Sequence, residues 1–200
     1  MAGKASMKIS ELFIIRNRIK PQAGRIIISE PLLHDGFFGR SVVLLTENND
    51  NGSLGFILNK PTGLAINSFV SECSSEDFHV YVGGPVATNT LHFIHTLGNK
   101  IPRTRQIKDN LYWGGDFELV KRLINSDTIK PRDIRFFVGY SGWSPGQLDG
   151  ELKRNSWLIS EINTDQIMFP DDENLWKHSV MQTNERYKFW LNIPVNPNLN

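Results

Sequence analysis

Cysteine is nearly absent from this chain of 200 residues: Cys73 stands alone, so no internal disulfide framework can form. A lone thiol fits a reducing compartment. Its neighbours Glu72, Glu76 and Asp77 supply a field opposite to the one a reactive thiolate needs. Charge of one sign is lacking too. Lysine and arginine number 22 against 21 acids, a net charge of +1, which argues against strong sequence-independent affinity for nucleic acid or an anionic membrane and leaves room only for a local basic patch. No apolar run approaches 18 residues, so no membrane-spanning helix is expected. The stretch after Lys8 is broken by Ser10, Glu11 and Arg16, so no secretory leader is expected either. Phosphate-cradling glycine loops, His-Glu-x-x-His and paired cysteines are all missing. No cofactor or metal is therefore expected.

What is present is an ordinary globular composition, 40% hydrophobic and 22% charged, enough for one domain. Leu12, Ile15 and Ile19 at helical spacing predict a short amphipathic arm over residues 9–19, ended by Pro21. Ile26 to Ile28, Val42 to Leu45 and Leu54 to Leu58 predict buried strands. Residues 41–59 read as a hairpin with a loop longer than two residues. Ile66, Phe69, Val70 and Cys73 fit a helix face. Short strands are predicted at 79–82, 91–95, 111–113, 134–138 and 157–159. Helices are expected over 116–124, after Ser144-Pro145-Gly146-Gln147, where Ser144 and Gln147 suit a capping box, and within 172–182. Residues 183–200 read as a polar tail. Hairpin-like strands followed by alternating strands and helices make an α+β fold.

Several constellations invite chemistry. Gly139-Tyr140-Ser141-Gly142-Trp143 approaches the nucleophile-elbow pattern, but Trp143 replaces its last glycine. A hydrolase or transferase reading would use Ser141 with His178 and a nearby Asp, or the His34/Asp35 loop. The competing reading is a glycine-permitted turn with Trp143 packed on the core. His92 and His95 sit three apart on a predicted strand, which puts them on opposite faces. Gly114-Gly115 precedes a helix, yet Asp116 occupies the end where an anion would bind. The basic stretches Lys100/Arg103/Arg105/Lys108 and Lys121/Arg122/Lys130/Arg132 lack the interleaved aromatics of a stacking platform and read as solvated faces.

Five motifs in order carry a resemblance. They are Gly24-Arg25-Ile26-Ile27-Ile28-Ser29-Glu30-Pro31, Phe38-Gly39-Arg40-Ser41-Val42-Val43-Leu44-Leu45, Gly55-Phe56-Ile57-Leu58-Asn59-Lys60-Pro61, Tyr81-Val82-Gly83-Gly84-Pro85-Val86 and residues 139–148. The chain resembles the YqgE/AlgH family of bacterial proteins over residues 24–160, and its two ends look like the Bacteroidetes version. The resemblance implies a bifurcated, curled mixed sheet forming a pseudo-barrel, with three to five helices, in a cytoplasmic protein of no agreed activity. One branch of the family is called a transcriptional regulator, although neither the family's pattern nor this chain shows a helix-turn-helix with a basic face. The family usually has alanine at the position of Ser141. The expected organisation is a helical arm over 1–23, a core over 24–160, and a C-terminal helix and tail over 161–200 packed on it. The expected function is non-enzymatic binding of a small molecule or a protein in a regulatory role. Its candidate site is Asn59, Gly83, Gly84, Pro85, Trp143 and Gln147, with Arg40 as an anion partner. The alternative is that these glycines and prolines only shape the turns of a bent sheet.

Overall fold

A computed structural model describes residues 13–33 and 35–194. Runs of branched residues make the first strands. β1 (Ile26–Ser29) lies between β10 (Trp157–Ser160) and β2 (Val42–Asn49), and β2 turns into β3 (Gly52–Ile57). Both faces of these strands are covered, so their apolar residues run on without alternation. The hairpin loop is shorter than expected. Asn48 pairs with Ser53 and Asn49 with Gly52, leaving only Asp50 and Asn51 in the turn. Asn49 Oδ1 accepts from Asn51 N, and Ser53 Oγ donates to Asn48 Oδ1, so these turn-forming residues extend the ladder instead of looping out.

The remaining strands are β4 (Pro61–Ala65), β5 (His79–Val82), β6 (Val86–His95), β7 (Arg105–Lys108), β8 (Leu111–Trp113) and β9 (Ile134–Trp143). They join one ten-stranded, mostly antiparallel sheet in the order β10-β1-β2-β3-β9-β6-β8-β7, with β5 and β4 branching off β9. The first half of β9 has β5 beside it, in parallel, from Val80 opposite Phe136 to Val82 opposite Val138. Its second half has β3 on the same side, with Gly55 opposite Ser141 and Ser53 opposite Trp143. The fork is built by glycines. A Cβ on Gly83 would stand 2.2 Å from the Gly139 carbonyl oxygen, and one on Gly84 2.4 Å from Tyr140 main-chain atoms. Backbones meet there at a distance that no side chain permits.

The sheet curls without closing. Between its ends, Lys108 of β7 reaches the Ile162 carbonyl just past β10 (2.7 Å), and its stem lies against Gly24, ahead of β1. The curl encloses Ile26, Ile28, Leu44, Phe56 and Phe137, and Trp176, Tyr187 and Trp190 pack into the same cluster. A second cluster lies under α1 (Phe117–Asn125), and a third joins Ile27, Val43 and Ile57 to Leu148 of α2 (Gln147–Lys153). Two shorter helices, α3 (Thr164–Met168) and α4 (Leu175–Met181), complete the α+β fold with a 3₁₀ helix at Glu185–Asn192.

Three local expectations are corrected. Residues 13–20 carry no helix, while 9–12 lie outside the described residues. The Ile15 and Arg16 N–H groups go to Asn155 Oδ1 and the Tyr187 hydroxyl, and Asn17 pairs its amide with Trp157 O and Ile159 N on the outer edge of β10. Those tertiary partners take N–H groups that a helix would have used within itself. The 66–73 helix shrinks to the 3₁₀ turn Ile66–Ser68, because Ile66 and Cys73 reach the second core cluster by a bend. The segment read as a polar tail carries, as far as it is described, the 3₁₀ helix Glu185–Asn192 with Tyr187 and Trp190 buried.

Candidate functional site

The residues singled out in the sequence fall into three places. Asn59 sits at the root of the β2–β3 hairpin, where its side chain accepts from Val42 N (2.9 Å) and donates to Arg40 O (2.9 Å). Arg40 donates to Ile193 O and stacks its guanidinium 4.9 Å from the Trp176 ring centre, and burial lowers its pKa. Gly83 and Gly84 form the fork, with Pro85 exposed beyond them. Trp143 and Gln147 meet at Glu151. Glu151 Oε2 accepts from Trp143 Nε1 (2.9 Å) and Trp157 Nε1 (2.8 Å), and Oε1 from Gln147 Nε2 (3.0 Å). From Ser53, the partner of Trp143, β3 runs four residues to Ile57 and the chain two more to Asn59. At about 3.4 Å per strand residue β3 alone spans about 14 Å between them, so the hairpin root and the Trp143 end are distinct places.

Ser141 is buried, and its hydroxyl donates to the Gly83 carbonyl (2.9 Å), which also accepts from Ile57 N. The hydroxyl thus ties the fork together, and its proton points at a carbonyl rather than a base. Asp35 caps its own loop by accepting from Phe37 N and Phe38 N, while His34 lies outside the described residues. His95 is buried, with Nε2 against Thr104 Oγ1 (2.8 Å) and Gly114 O (3.1 Å) and Nδ1 accepting from Leu97 N. Burial pushes its pKa down, and those partners suit the neutral ring protonated at Nε2. Among the described residues no three His, Cys, Asp or Glu side chains gather to hold a metal ion. Asp116 caps α1 by accepting from Leu119 N and pairs with Arg103 (3.0 Å), so it fills the place an anion would take. At α2 only half of the expected capping box forms. Gln147 Oε1 accepts from Ser144 N, while the residue ahead of the helix is Gly146 at φ +74°.

One charged residue escaped notice in the sequence. Arg135 on β9 is buried, donates to Ile167 O and Leu58 O, and lies 4.0 Å from the Tyr81 ring centre; the Tyr81 hydroxyl donates to Asp172 (3.1 Å). Burial lowers the Arg135 pKa and raises that of Asp172. This network ties β9 and β5 to the chain just past β3, to α3 and to the approach to α4.

Among the grooves that the described residues line, two adjoin each other along β6. One, of about 520 Å³, runs between the hairpin tip at Glu47–Leu54 and Tyr140, Trp143 and Pro145. The other, of about 500 Å³, is lined by Leu91, His92, Phe93, Trp113 and Phe117, with Arg103 and Arg105 at its rim. The Glu47–Arg105 ion pair joins their rims. Between them β6 bulges: Val86 pairs with Tyr140 but Leu91 with Val138, and Ala87 adopts φ +47°. Arg103-x-Arg105 close to Trp113 was visible in the sequence as charge alone. Its place beside a groove needs β7 and β8 paired, with Arg105 opposite Trp113.

A branched, curled sheet with glycine contacts at its fork defines the class of protein. The AlgH-like family model, DUF179, matches residues 26–188. A UPF0301 protein of Parabacteroides distasonis is 48% identical over 94% of this chain and 96% of its own length. One of Bacteroides fragilis is 42% identical, covering 96% and 98%. The solution structure of the AlgH protein from Pseudomonas aeruginosa superposes with a TM-score of 0.66 at 23% identity, over 90% of this chain and 98% of that one. A crystal structure from Corynebacterium diphtheriae gives 0.71 at 19%, over 88% and 94%. The chain belongs to the AlgH-like family.

Proposed function

We propose that this protein is a non-enzymatic binding protein with a regulatory role in the cytoplasm, and that it takes its ligand in the groove between β6 and Arg103/Arg105. The observation that carries this reading is the groove itself. An apolar floor of Phe93, Trp113 and Phe117 meets two guanidinium groups, in a volume typical of ligand sites. The polar groups of the alternative centres are committed elsewhere: Ser141 to a carbonyl, Glu151 to two indoles, Asn59 to main chain. A buried Cys73 and the lack, among the described residues, of a helix long and apolar enough to cross a membrane fit the compartment. Hydrogen exchange of the full chain in buffer and in concentrated lysate of its own cells tests the site. Added protection in residues 89–93 and 103–117 is expected. Unchanged exchange in both segments, with protein and small-molecule fractions alike, refutes it.

A further inference from the structure

Building on that reading, we infer that the occupant of the groove is an extended, acidic segment of a partner protein that adds a strand to β6 along the stretch of edge, around Leu91, that no described strand pairs. The direction of the main chain decides this. Along a strand, a residue's N–H and C=O point to one side, and the side alternates with each residue. Val138 O accepts from Gly83 N, so the Val138 main chain faces β5. Leu91, its partner across β6, therefore turns its N–H and C=O away from β9. Phe93 points the same way, and its carbonyl accepts from Gly114 N (2.9 Å). There β8 stops. Gly114 and Gly115, at φ +68° and +124°, carry the chain off into α1. The position beside Leu91 that β8 would have filled is the groove.

An incoming strand presents side chains to both faces in alternation. Leu91, Phe93 and Phe117 receive one set, on the side of the second core cluster. His92 and Trp113 receive the other. Arg103 and Arg105 carry the charge preference. Their side chains are 75% and 71% exposed, in pairs with Asp116 and Glu47 that are weak enough to be exchanged. A small anion would engage the arginines and leave the edge of Leu91 unmatched. A second copy of this chain pairing through the same edge would offer the arginines its own β6, Val86–His95, which carries no acid.

The test is selection of a random dodecapeptide phage library on the full chain, followed by fluorescence polarisation of the synthetic winners. Expected are winners with at least two acidic residues among β-forming ones. The Arg103→Glu/Arg105→Glu double variant should bind them at least ten-fold more weakly. N-methylation of one central peptide amide should cost a similar factor while its neighbour tolerates the change, the mark of a strand pairing along one edge. Leu91→Pro removes the outward N–H and should also weaken binding; should it not fold, the double variant decides alone. The inference is overturned by a library that yields no winners, by winners without acids, or by binding indifferent to both arginines. If those results come with lysate-dependent protection of residues 89–93 and 103–117, the groove binds something else and only the peptide assignment falls. Without that protection the groove reading falls with it.

Discussion

Glu151→Ala removes the one carboxylate oxygen that serves two indoles. Trp157 is 1% exposed and Trp143 5%, so neither N–H readily finds water once Oε2 is gone. Hydrogen bonds to a charged acceptor contribute about 1.5–3 kcal/mol each, and the exposed bond from Gln147 adds little. Part of the carboxylate faces solvent, so the lower end of that range applies: a loss of about 3 kcal/mol. For a chain of this size that is about 6–12 °C in Tm. Glu151→Gln keeps one oxygen that can accept from both indoles, but its new amide donor faces the Gln147 amide donor. Gln147 must then turn and give up its bond to Ser144 N. About 1–2 kcal/mol is expected. Urea unfolding followed by tryptophan fluorescence, with an unchanged m-value, measures both. A loss below about 1 kcal/mol for Glu151→Ala, or equal losses for the two variants, would show that the shared oxygen is not what holds α2 to the sheet.

At the fork, Gly84→Ala would put a Cβ against main-chain atoms that cannot move aside. A loss above about 4 kcal/mol, or no folded protein at all, is expected by circular dichroism. The control Gly63→Ala, also at positive φ (+77°) but in open space, should cost only about 1–2 kcal/mol; comparable damage at both would refute the contact argument. Burial lowers the pKa values of His92 and His95, so the unfolded chain binds more protons just below its ordinary histidine value of about 6.5. Stability should therefore be full above that pH and fall as the solution is acidified through the window. Asp172, raised by burial, acts in the opposite sense, its contribution being lost as pH rises through its folded value. A His95→Asn variant isolates the His95 share and leaves that of His92: its stability-against-pH curve should be flatter between pH 5 and 7, and an unchanged slope would refute the assignment to His95.

Much of the secondary structure was legible from runs of one residue class. Ile26 to Ile28 and Val42 to Leu45 need burial on both faces and became strands, and the acids and bases of α1 fall where the helix dipole favours them. β4 and β7 were not legible. Pro61-Thr62-Gly63-Leu64-Ala65 and Arg105-Gln106-Ile107-Lys108 are largely polar or weak strand formers, recruited because a neighbouring strand offers main-chain partners. The arm misled in the other direction: its apolar spacing suits a helix, but the outer edge of β10 offered Asn17 a better partner. In the candidate site, the glycines and Trp143 drew attention because their spacing is unusual, and the grooves did not, because Leu91, Trp113 and Arg105 come from three separate strands.

By itself, the order of residues determined which segments must be buried, where the chain can turn, and that no disulfide framework or metal-binding motif is encoded. It also carried the family motifs, since glycines that admit backbone against backbone leave a local mark. Only the tertiary structure decided that those glycines meet at one fork, that Ser141 faces a carbonyl, and that around Leu91 one edge of β6 has no described strand beside it. The reason is that hydrogen-bond partners across a sheet are set by register and topology, which bring together residues as far apart as Gly83 and Ser141 and leave no periodic trace in either segment.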